Sequence, residues 1–389
     1  MQRLFVTFVL ELYAIALAML QAGGGVQSDE AKYLLNIPYP HPPAVRWVLA
    51  QFDAWHYQET FVRVLFATLM VQAVWLVWDM VKELPVQRRY DLAVLWLFSG
   101  GVILQAGTVM MAPLTALQAL VFLWMAQRRT TPQTIGLFWL FSLFTAYQAV
   151  LFLPLAYVCL QRQGISRTQI GLYLGAPIIL LALYTLVNPL IPASMVVHSS
   201  RDLHSSLPNR LMATGRLWLI GGSVFLSLFG TWGMFASRRW ELITSFFLVC
   251  AYIALSRYDY YAVLFLPLFV AGVTARPKVI TFPRMTLFFT AIVGMHLSVS
   301  AFEGPRPVIA REVIRSLSDT AMQGTLLVEG SFGHQWQYES PYPVRAFLPG
   351  LLEEAGAVVC LTECPEWNRS GWKVLQFEPE VWVREKWLG

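Results

Sequence analysis

Charged residues are scarce in this chain. Lys, Arg, Asp and Glu make up 13% of its 389 residues, about half of the roughly 25% that a soluble globular domain carries. Hydrophobic residues reach 57%, and the mean hydropathy is +0.54. This deficit of solvated surface excludes an ordinary soluble domain and indicates lipid-facing surface. The sequence therefore predicts an integral membrane protein that crosses the bilayer several times.

Cysteine is also rare, and four residues are too few for a disulfide-rich scaffold. Cys159 and Cys250 lie inside apolar runs, where a buried thiol acts as a small hydrophobic group. Cys360 and Cys364 lie close together near the carboxyl end and can pair if that segment faces an oxidising compartment. No second pair of ligands accompanies them, which argues against a zinc site.

Basic residues are unevenly distributed along the chain. Residues 301–389 hold 8 Lys or Arg against 12 Asp or Glu, whereas residues 1–300 hold 20 against 11. Most basic residues of the first part lie in short segments between apolar runs, as topology signals do. This distribution argues against a nucleic-acid footprint, and we expect no nucleic acid partner.

The apolar runs predict an all-α polytopic domain over residues 1–300 with about eleven transmembrane helices. Several runs are shorter than the roughly 20 residues that a perpendicular span needs, so the number is approximate. The stretches 92–126 and 133–160 are expected to form tight helical hairpins that turn near Gln105–Gly107 and Thr145–Gln148. The runs lie at about residues 4–22, 61–79, 92–107, 109–126, 133–145, 147–160, 170–188, 215–236, 241–256, 259–275 and 285–300.

Basic loops indicate an orientation for these helices. With a cytoplasmic amino terminus, 13 of the 20 basic residues before position 301 fall on the cytoplasmic side, as the positive-inside rule favours. The first loop, residues 23–60, and the carboxyl-terminal segment then lie outside. The first run can also be interpreted as a cleaved signal peptide, because Arg3 precedes it and small residues follow near Ala18 and Ala22. That alternative leaves residues 23–60 outside.

Residues 301–389 predict a small α/β domain outside the membrane. GTLLVEG (324–330) and AVVCLTE (357–363) have the apolar, β-branched composition of buried strands. VRAFLPGLLEEAGA (344–357) is interpreted as a helix interrupted by Pro349, and residues 372–387 alternate like a pair of strands. The sequence of this domain carries no catalytic pattern.

The first loop contains the candidate chemistry. Asp29 and Glu30 follow directly after the first apolar run, with Lys32 nearby. A partly desolvated carboxylate at a membrane surface suits general-base chemistry on an alcohol, or ligation of a divalent cation. On spacing alone, an acidic pair at this point is usually a solvated helix cap.

The segment SDEAKYLL (28–35), followed by YPHPPAVRWVL (39–49), resembles the first outer loop of the GT-C glycosyltransferases. It is similar in particular to protein O-mannosyltransferases and to the bacterial aminoarabinose transferases that modify lipid A. The matching positions are Asp29, Glu30, Tyr33 and the step from His41 to Pro43. SRYDYYAVLFLPLFVAG (256–272) looks like a late helix pair of the same family. The resemblance implies a GT-C-like membrane fold in the bacterial inner membrane.

The resemblance also implies an inverting transfer of a sugar from a polyprenyl-phosphate donor to a lipid, glycan or protein acceptor. Asp29 would be the base or a metal-linked carboxylate, with Glu30 orienting the loop and a divalent metal ion as a possible cofactor. The expected donor- and substrate-binding residues are Lys32, Tyr33, His41, Arg201, Arg257 and Tyr258. Fixed cations at a low-dielectric boundary would stabilise the phosphate leaving group.

Two departures from the family pattern leave rival functions open. Ala112 stands where related transferases have a second carboxylate, and Tyr147 and Gln148 stand where a basic residue is common. The chain is therefore either a transferase that uses Asp29 alone or an inactive relative that acts as a binding or assembly subunit. A lipid or solute transporter is a third possibility, although no internal repeat supports it.

Glu11 and two further sets of polar residues each have a functional and a structural interpretation. Glu11 lies in the middle of the first run, where a carboxylate either has a function or is hydrogen-bonded inside the protein. Asp53, His56 and Glu59 share one helical face and form either a metal site or a polar surface at the headgroups. The loop at 189–214 contains His198, Arg201, Asp202 and His204 and suits a lid over the substrates.

Overall fold

The computed structural model shows a mostly helical protein with one small sheet. It describes residues 2–22, 24–37, 42–52, 58–188, 191, 206–256, 259–276, 284–302, 308–330 and 332–387. The chain divides into two compact units. The helical unit comprises Met1–Met19 and Pro38–Glu303, and the sheet unit comprises Leu20–Ile37 and Gly304–Gly389.

Every predicted apolar run contains a helix. Some runs are divided, and two begin with a 3-10 turn, at Tyr147–Phe152 and Asp259–Phe265. With α2 (Ser28–Leu34) placed in the sheet unit, the remaining helices of this region are α1 (Gln2–Ala22), α3 (Pro43–Leu49), α4 (Gln58–Gln72), α5 (Val74–Met80), α6 (Val86–Leu97), α7 (Gly100–Gln105), α8 (Met111–Met125), α9 (Pro132–Thr145), α10 (Leu153–Gln161), α11 (Arg167–Val187), α12 (Leu207–Gly221), α13 (Phe225–Ala236), α14 (Trp240–Ser256), α15 (Leu266–Ala275) and α16 (Arg284–Phe302).

Several of these helices are long and apolar, which suggests membrane association. Within the described residues, Arg3–Ala22, Gln58–Met80 and Arg167–Val187 are long enough to cross a membrane. A fourth span results if α12 and α13 are counted together. The other apolar helices are shorter, and a total of about eleven spans stays a prediction.

The run at 215–236 is not one helix, as the sequence predicted, but two helices bent by 102°. Ser223 and Val224 between them have positive φ angles of 49° and 65°, a backbone region that non-glycine residues rarely adopt. The Ser227 hydroxyl stabilises the bend, because it accepts a hydrogen bond from Gly222 N at 3.1 Å and donates one to Trp218 O at 2.7 Å. The step Gly221-Gly222-Ser223 at the break is a turn signal in the sequence, which the interpretation of 215–236 as one apolar run passed over.

Helices end near both predicted turns, whereas the pairing of the flanking helices as tight hairpins stays a prediction. α7 ends at Gln105 and α8 begins at Met111, and α9 ends at Thr145 just before the 3-10 turn that starts at Tyr147. Elsewhere in the helical unit, α13 and α15 cross with their backbones almost in contact. A Cβ atom on Gly272 would collide with the carbonyl oxygen of Gly230. Small residues at a helix crossing permit this close approach.

The sheet unit contains five strands in the order β2-β1-β3-β5-β4. Its strands are β1 (Thr325–Glu329), β2 (Val344–Ala346), β3 (Ala355–Cys360), β4 (Trp372–Phe377) and β5 (Glu380–Arg384). β1 is parallel to both β2 and β3, whereas β5 is antiparallel to β3 and β4. Helix α17 (Ile309–Ser318) buries Val313 and Leu317 in the same core as strand residues such as Leu326 and Val359.

The helix predicted at 344–357 is wrong. Val344–Ala346 forms the edge strand β2, Pro349–Leu351 is a single 3-10 turn, and Ala355 already begins β3. The apolar spacing of the segment resembles a helical stripe, but its first residues pair with β1 and its last with both β1 and β5. Tertiary strand pairing therefore overrides the local pattern. The other predicted strands correspond to β1, β3, β4 and β5.

Candidate functional site

Helix α2 carries the predicted catalytic pair. It begins at Ser28, so Asp29 and Glu30 lie in its first turn, where the helix dipole stabilises negative charge. The Glu30 carboxylate turns back to accept a hydrogen bond from Gln27 N at 2.9 Å. A carboxylate at this position satisfies one of the backbone donors that a helix start leaves unpaired. Glu30 therefore fixes the beginning of the helix on which Asp29 lies.

Asp29 differs from Glu30 in its access to solvent. The Asp29 side chain is 29% exposed, whereas Glu30 is 2% exposed. Lys32, one turn further along, donates to the Asp29 carboxylate at 2.6 Å and is itself largely buried. The ammonium group has three donors and can contact a second anion beside the carboxylate. The reactive groups of α2 are thus the partly exposed carboxylate of Asp29 and the ammonium group of Lys32 beside it.

Tyr33 is part of the core of the sheet unit and is only 1% exposed. Together with Ala31 and Leu34 it forms the buried face of α2. Helix α18 (His334–Glu339) packs against α2 within this unit. The packing of these two helices joins α2 to the carboxyl-terminal part of the chain.

The chain that leads into α2 is held by residues far away in sequence. Gly24 O accepts a hydrogen bond from Val308 N at 2.7 Å. The Arg311 guanidinium donates to Ala22 O at 2.7 Å, and the Glu339 carboxylate accepts from Val26 N at 3.0 Å. The sequence placed the whole loop 23–60 with the first domain, but these contacts explain why Leu20–Ile37 belongs to the sheet unit.

Four of the predicted binding residues, His41, Arg201, Arg257 and Tyr258, lie outside the described residues. Asp53 and His56 of the predicted polar face lie outside them too. Their partner Glu59 pairs with Arg63 at 2.9 Å, and this buried Arg63 also donates to Gly107 O at 3.1 Å. Arg63 thus holds α4 against the turn after α7, and Glu59 pairs with its guanidinium group.

Glu11 is hydrogen-bonded inside the protein, which is the structural alternative that the sequence offered for it. Its carboxylate accepts hydrogen bonds from Thr68 Oγ1 at 2.5 Å and from Gln72 Nε2 at 3.3 Å. These contacts join α1 to α4 within the helical unit. A carboxylate in an apolar helix is costly unless it is bonded in this way.

An apolar groove opens on the helical unit and was not predicted from the sequence. Its volume is about 310 Å³, and α3, α4, α8 and α9 form its walls. Val48 and Phe141 line it and are more than half exposed. The groove also contains Gln118, whose buried Oε1 atom has no hydrogen-bond partner. Such a surface can take an apolar chain with a single polar contact.

A buried cation lies on one of the helices that form this groove. Arg46, on α3, is 3% exposed, and its Nη2 atom is 3.4 Å from the hydroxyl group of Tyr184 on α11. The sequence indicated Arg46 only as a charge in the first outer loop. Burial of a guanidinium group is costly without polar contacts, and nothing in the local pattern signals it.

At two positions where the sequence departs from the GT-C pattern that it resembles, Ala112 and Gln148, the structure shows uncharged side chains in packed surroundings. Ala112 is buried at the start of α8. Gln148 donates to the hydroxyl groups of Tyr252 and Tyr261 at 2.8 Å and 3.2 Å. Tyr252 in turn donates to Tyr261 at 2.8 Å. Gln148, one of the two positions at which the resemblance led us to expect a basic residue, is thus part of a triangle of neutral polar groups.

No cluster of three or more His, Cys, Asp or Glu side chains that suits a metal ion occurs among the described residues. Comparison with known proteins finds no matching family model and no significant match to a curated protein or to a solved structure. The resemblance to GT-C glycosyltransferases therefore stays a prediction from the sequence motifs.

Proposed function

We propose that this protein is an inverting glycosyltransferase that moves a sugar from a polyprenyl-phosphate donor to a hydroxyl group of an acceptor. One observation carries the proposal. Of the two adjacent carboxylates on α2, Glu30 is buried and caps the helix, whereas Asp29 is accessible and lies 2.6 Å from Lys32. This division of roles is the one expected when one carboxylate reacts and its neighbour positions it.

In the proposed reaction, the Asp29 carboxylate takes the proton of the acceptor hydroxyl group. The acceptor oxygen forms a bond to the anomeric carbon of the sugar as the bond from that carbon to the phosphate oxygen breaks. The polyprenyl phosphate leaves with the electron pair of the broken bond. Lys32 holds Asp29 in place and supplies positive charge, which favours an anionic donor.

The apolar groove of the helical unit supports a lipid-linked donor. Its walls expose aliphatic and aromatic side chains, and its bordering helix α3 carries the buried Arg46. An isoprenoid chain needs apolar surface, and a phosphate needs a guanidinium group or a similar cation.

The proposed location is the bacterial inner membrane, with the amino terminus in the cytoplasm and the sheet unit outside. The excess of basic residues in the predicted cytoplasmic loops supports this orientation. The disulfide between Cys360 and Cys364 in the sheet unit supports an oxidising compartment.

The test is transfer from a labelled pool of polyprenyl-phosphate sugars in membranes. It compares the wild-type chain, Asp29→Asn and the matched control Asp319→Asn, which changes an exposed carboxylate of the same unit. We expect product from the wild type and from the control, and a loss of at least about a hundredfold in Asp29→Asn. Equal product from all three would remove Asp29 from the mechanism.

The same assay with and without a chelator separates the two possible roles of Asp29. Activity that persists in the chelator assigns Asp29 as a base that acts without a metal ion. Activity that is lost and then restored by Mg²⁺ or Mn²⁺ assigns it as a metal-linked carboxylate.

A catalytically inactive relative that binds or assembles other components is the second candidate. Ala112 favours it, because the buried start of α8 offers no second carboxylate at that position. This candidate predicts that the wild-type chain gives no product from any donor in a broad pool. It also predicts that the chain still retains a polyprenyl-phosphate sugar on purification.

A further inference from the structure

A second groove on the helical unit lies between α1, α5 and α6 and has a volume of about 550 Å³. It does not share a lining residue with the groove at α3. Most of its lining is apolar, with side chains from all three helices. Val6, Leu10, Val74, Trp78, Val94 and Leu97 are among them.

One end of this groove is polar and basic. The Arg3 guanidinium lies 5.0 Å from the ring centre of Trp75, and both residues line the groove. The Trp75 ring is held by a hydrogen bond from its Nε1 atom to Gln72 Oε1 at 3.0 Å. Arg3 is exposed, so its guanidinium group is accessible to an anion while it stacks on the ring.

The carboxylate in the lining does not cancel this positive charge. Asp79 forms an ion pair with Arg128 and accepts a hydrogen bond from Trp124 Nε1 at 2.6 Å. Its negative charge is therefore already balanced by a cation on the segment that follows α8.

Further positive charge comes from the basic loop, which we define as residues 82–89 and which comprises the connection after α5 and the first turn of α6. Residues 82–89 contain Lys82, Arg88 and Arg89 against the single carboxylate of Glu83. Arg89 donates to Leu84 O at 3.0 Å, and its guanidinium lies 5.8 Å from the ring of Trp78. Trp78 lines the groove, so the basic loop borders it. Tyrosine and tryptophan beside Arg and Lys are typical of the headgroup region of a bilayer.

We propose that this groove binds an anionic phospholipid. One acyl chain would lie along the apolar lining, and the phosphate group would contact Arg3 and the basic loop. The apolar groove suits the acyl chain of any phospholipid. The cations favour an anionic lipid over a zwitterionic one, which has no net charge to match them. The site is independent of Asp29 and of the proposed transfer reaction.

The test is native mass spectrometry of the full chain released from detergent, after addition of phosphatidylglycerol or phosphatidylcholine with identical acyl chains. Three variants are compared with the wild type. Arg3→Gln removes the exposed cation, Ala93→Trp fills the groove, and Leu183→Trp is the matched control on the exposed surface of α11.

We expect the wild type and Leu183→Trp to retain phosphatidylglycerol in preference to phosphatidylcholine. Arg3→Gln should lower the retained phosphatidylglycerol about fivefold, the effect of one basic residue near a lipid surface. Ala93→Trp should abolish the preference. Because Arg3 is exposed, its variant does not depend on core packing and stays informative if Ala93→Trp fails to fold.

Three results would overturn the proposal. Equal retention of both lipids by the wild type would mean ordinary surrounding lipid only. Unchanged phosphatidylglycerol binding in both groove variants would place the lipid elsewhere. A dimer in the wild-type spectrum that Ala93→Trp removes would assign the groove to a second copy of the chain.

Discussion

The Arg311 guanidinium lies 2.9 Å from the Glu339 carboxylate, and both groups also bind the backbone that leads into α2. Both side chains are largely buried. The pair therefore connects α17, α18 and the entry to α2 through charge-assisted hydrogen bonds. The position of Asp29 thus depends on residues that lie about three hundred positions later in the chain.

Arg311→Ala is expected to loosen α2. It removes the contact with Ala22 O and leaves the buried Glu339 carboxylate without this cation, which costs about 2–3 kcal/mol. Hydrogen exchange of the α2 amides, residues 28–34, measures the effect as lost protection.

Arg345→Ala is the matched control for this loss. Arg345 and Glu354 are both more than half exposed and 3.9 Å apart, and such pairs contribute less than about 1 kcal/mol. Unchanged α2 protection in Arg311→Ala, or an equal loss in Arg345→Ala, would show that the buried pair does not position α2.

Gly25→Ala should destabilise the same entry segment. Gly25 has a φ of 89°, and a Cβ atom there would lie 3.1 Å from Arg311 Nε and 3.3 Å from Glu339 Oε1. The backbone strain and the crowding together cost about 1–3 kcal/mol. Limited proteolysis around residue 25 should become faster. Gly350→Ala serves as the control, because its added Cβ atom meets nothing within 4 Å, and an equal rate of cleavage in both variants would contradict this account.

The disulfide between Cys360 and Cys364 should stabilise the end of β3. It closes a short loop, for which chain entropy gives about 2 kcal/mol. In the background Cys159→Ala/Cys250→Ala, which removes the two free thiols, we expect maleimide labelling only after reduction.

An impermeant maleimide applied to intact, reduced cells extends this experiment to topology. Labelling from outside is expected if the sheet unit lies outside the cytoplasm. Labelling without a reductant would show that the pair does not form, and labelling only after lysis would reverse the proposed orientation.

Gly272→Ala should separate α13 from α15. Its new methyl group meets the backbone of Gly230 and not a flexible side chain, so a loss of about 1–3 kcal/mol or more is expected. Heated samples analysed by size-exclusion chromatography should aggregate at a lower temperature. Gly175→Ala on α11 meets nothing within 4 Å, and its temperature should stay equal or rise. The same shift in both variants would refute the packing argument.

Much of the helical unit was predictable, because apolar runs and helices coincide along the chain. The run 215–236 is the exception, because the turn signal of Gly221, Gly222 and Ser223 inside it was treated as part of one apolar run. Ser223 and Val224 bend the run 215–236 through backbone angles that no apolar pattern encodes. In the sheet unit, β1 and β3 were predictable from their apolar, β-branched runs, and β4 and β5 from the alternation of residues 372–387. β2 was not, because its three residues derive their structure from pairing with β1.

The candidate site was predictable only in part. The sequence supplied Asp29, Glu30 and Lys32, and a Glu three residues after the cap is a readable signal of a helix start. The association of this helix with Arg311 and Glu339 was hidden, since it depends on contacts between distant segments. Burial of Arg46 was hidden for the same reason: only the packed helices remove it from solvent.

The two-segment composition of the sheet unit has a consequence for biosynthesis. Residues 20–37 leave the ribosome early, but their partners in residues 304–389 appear only after the whole helical unit has been made. At roughly 5–20 residues per second, the early segment waits on the order of tens of seconds. During that time Tyr33 and the other apolar residues of α2 have no core to enter. The sheet unit can therefore fold only after its last strand has been translated.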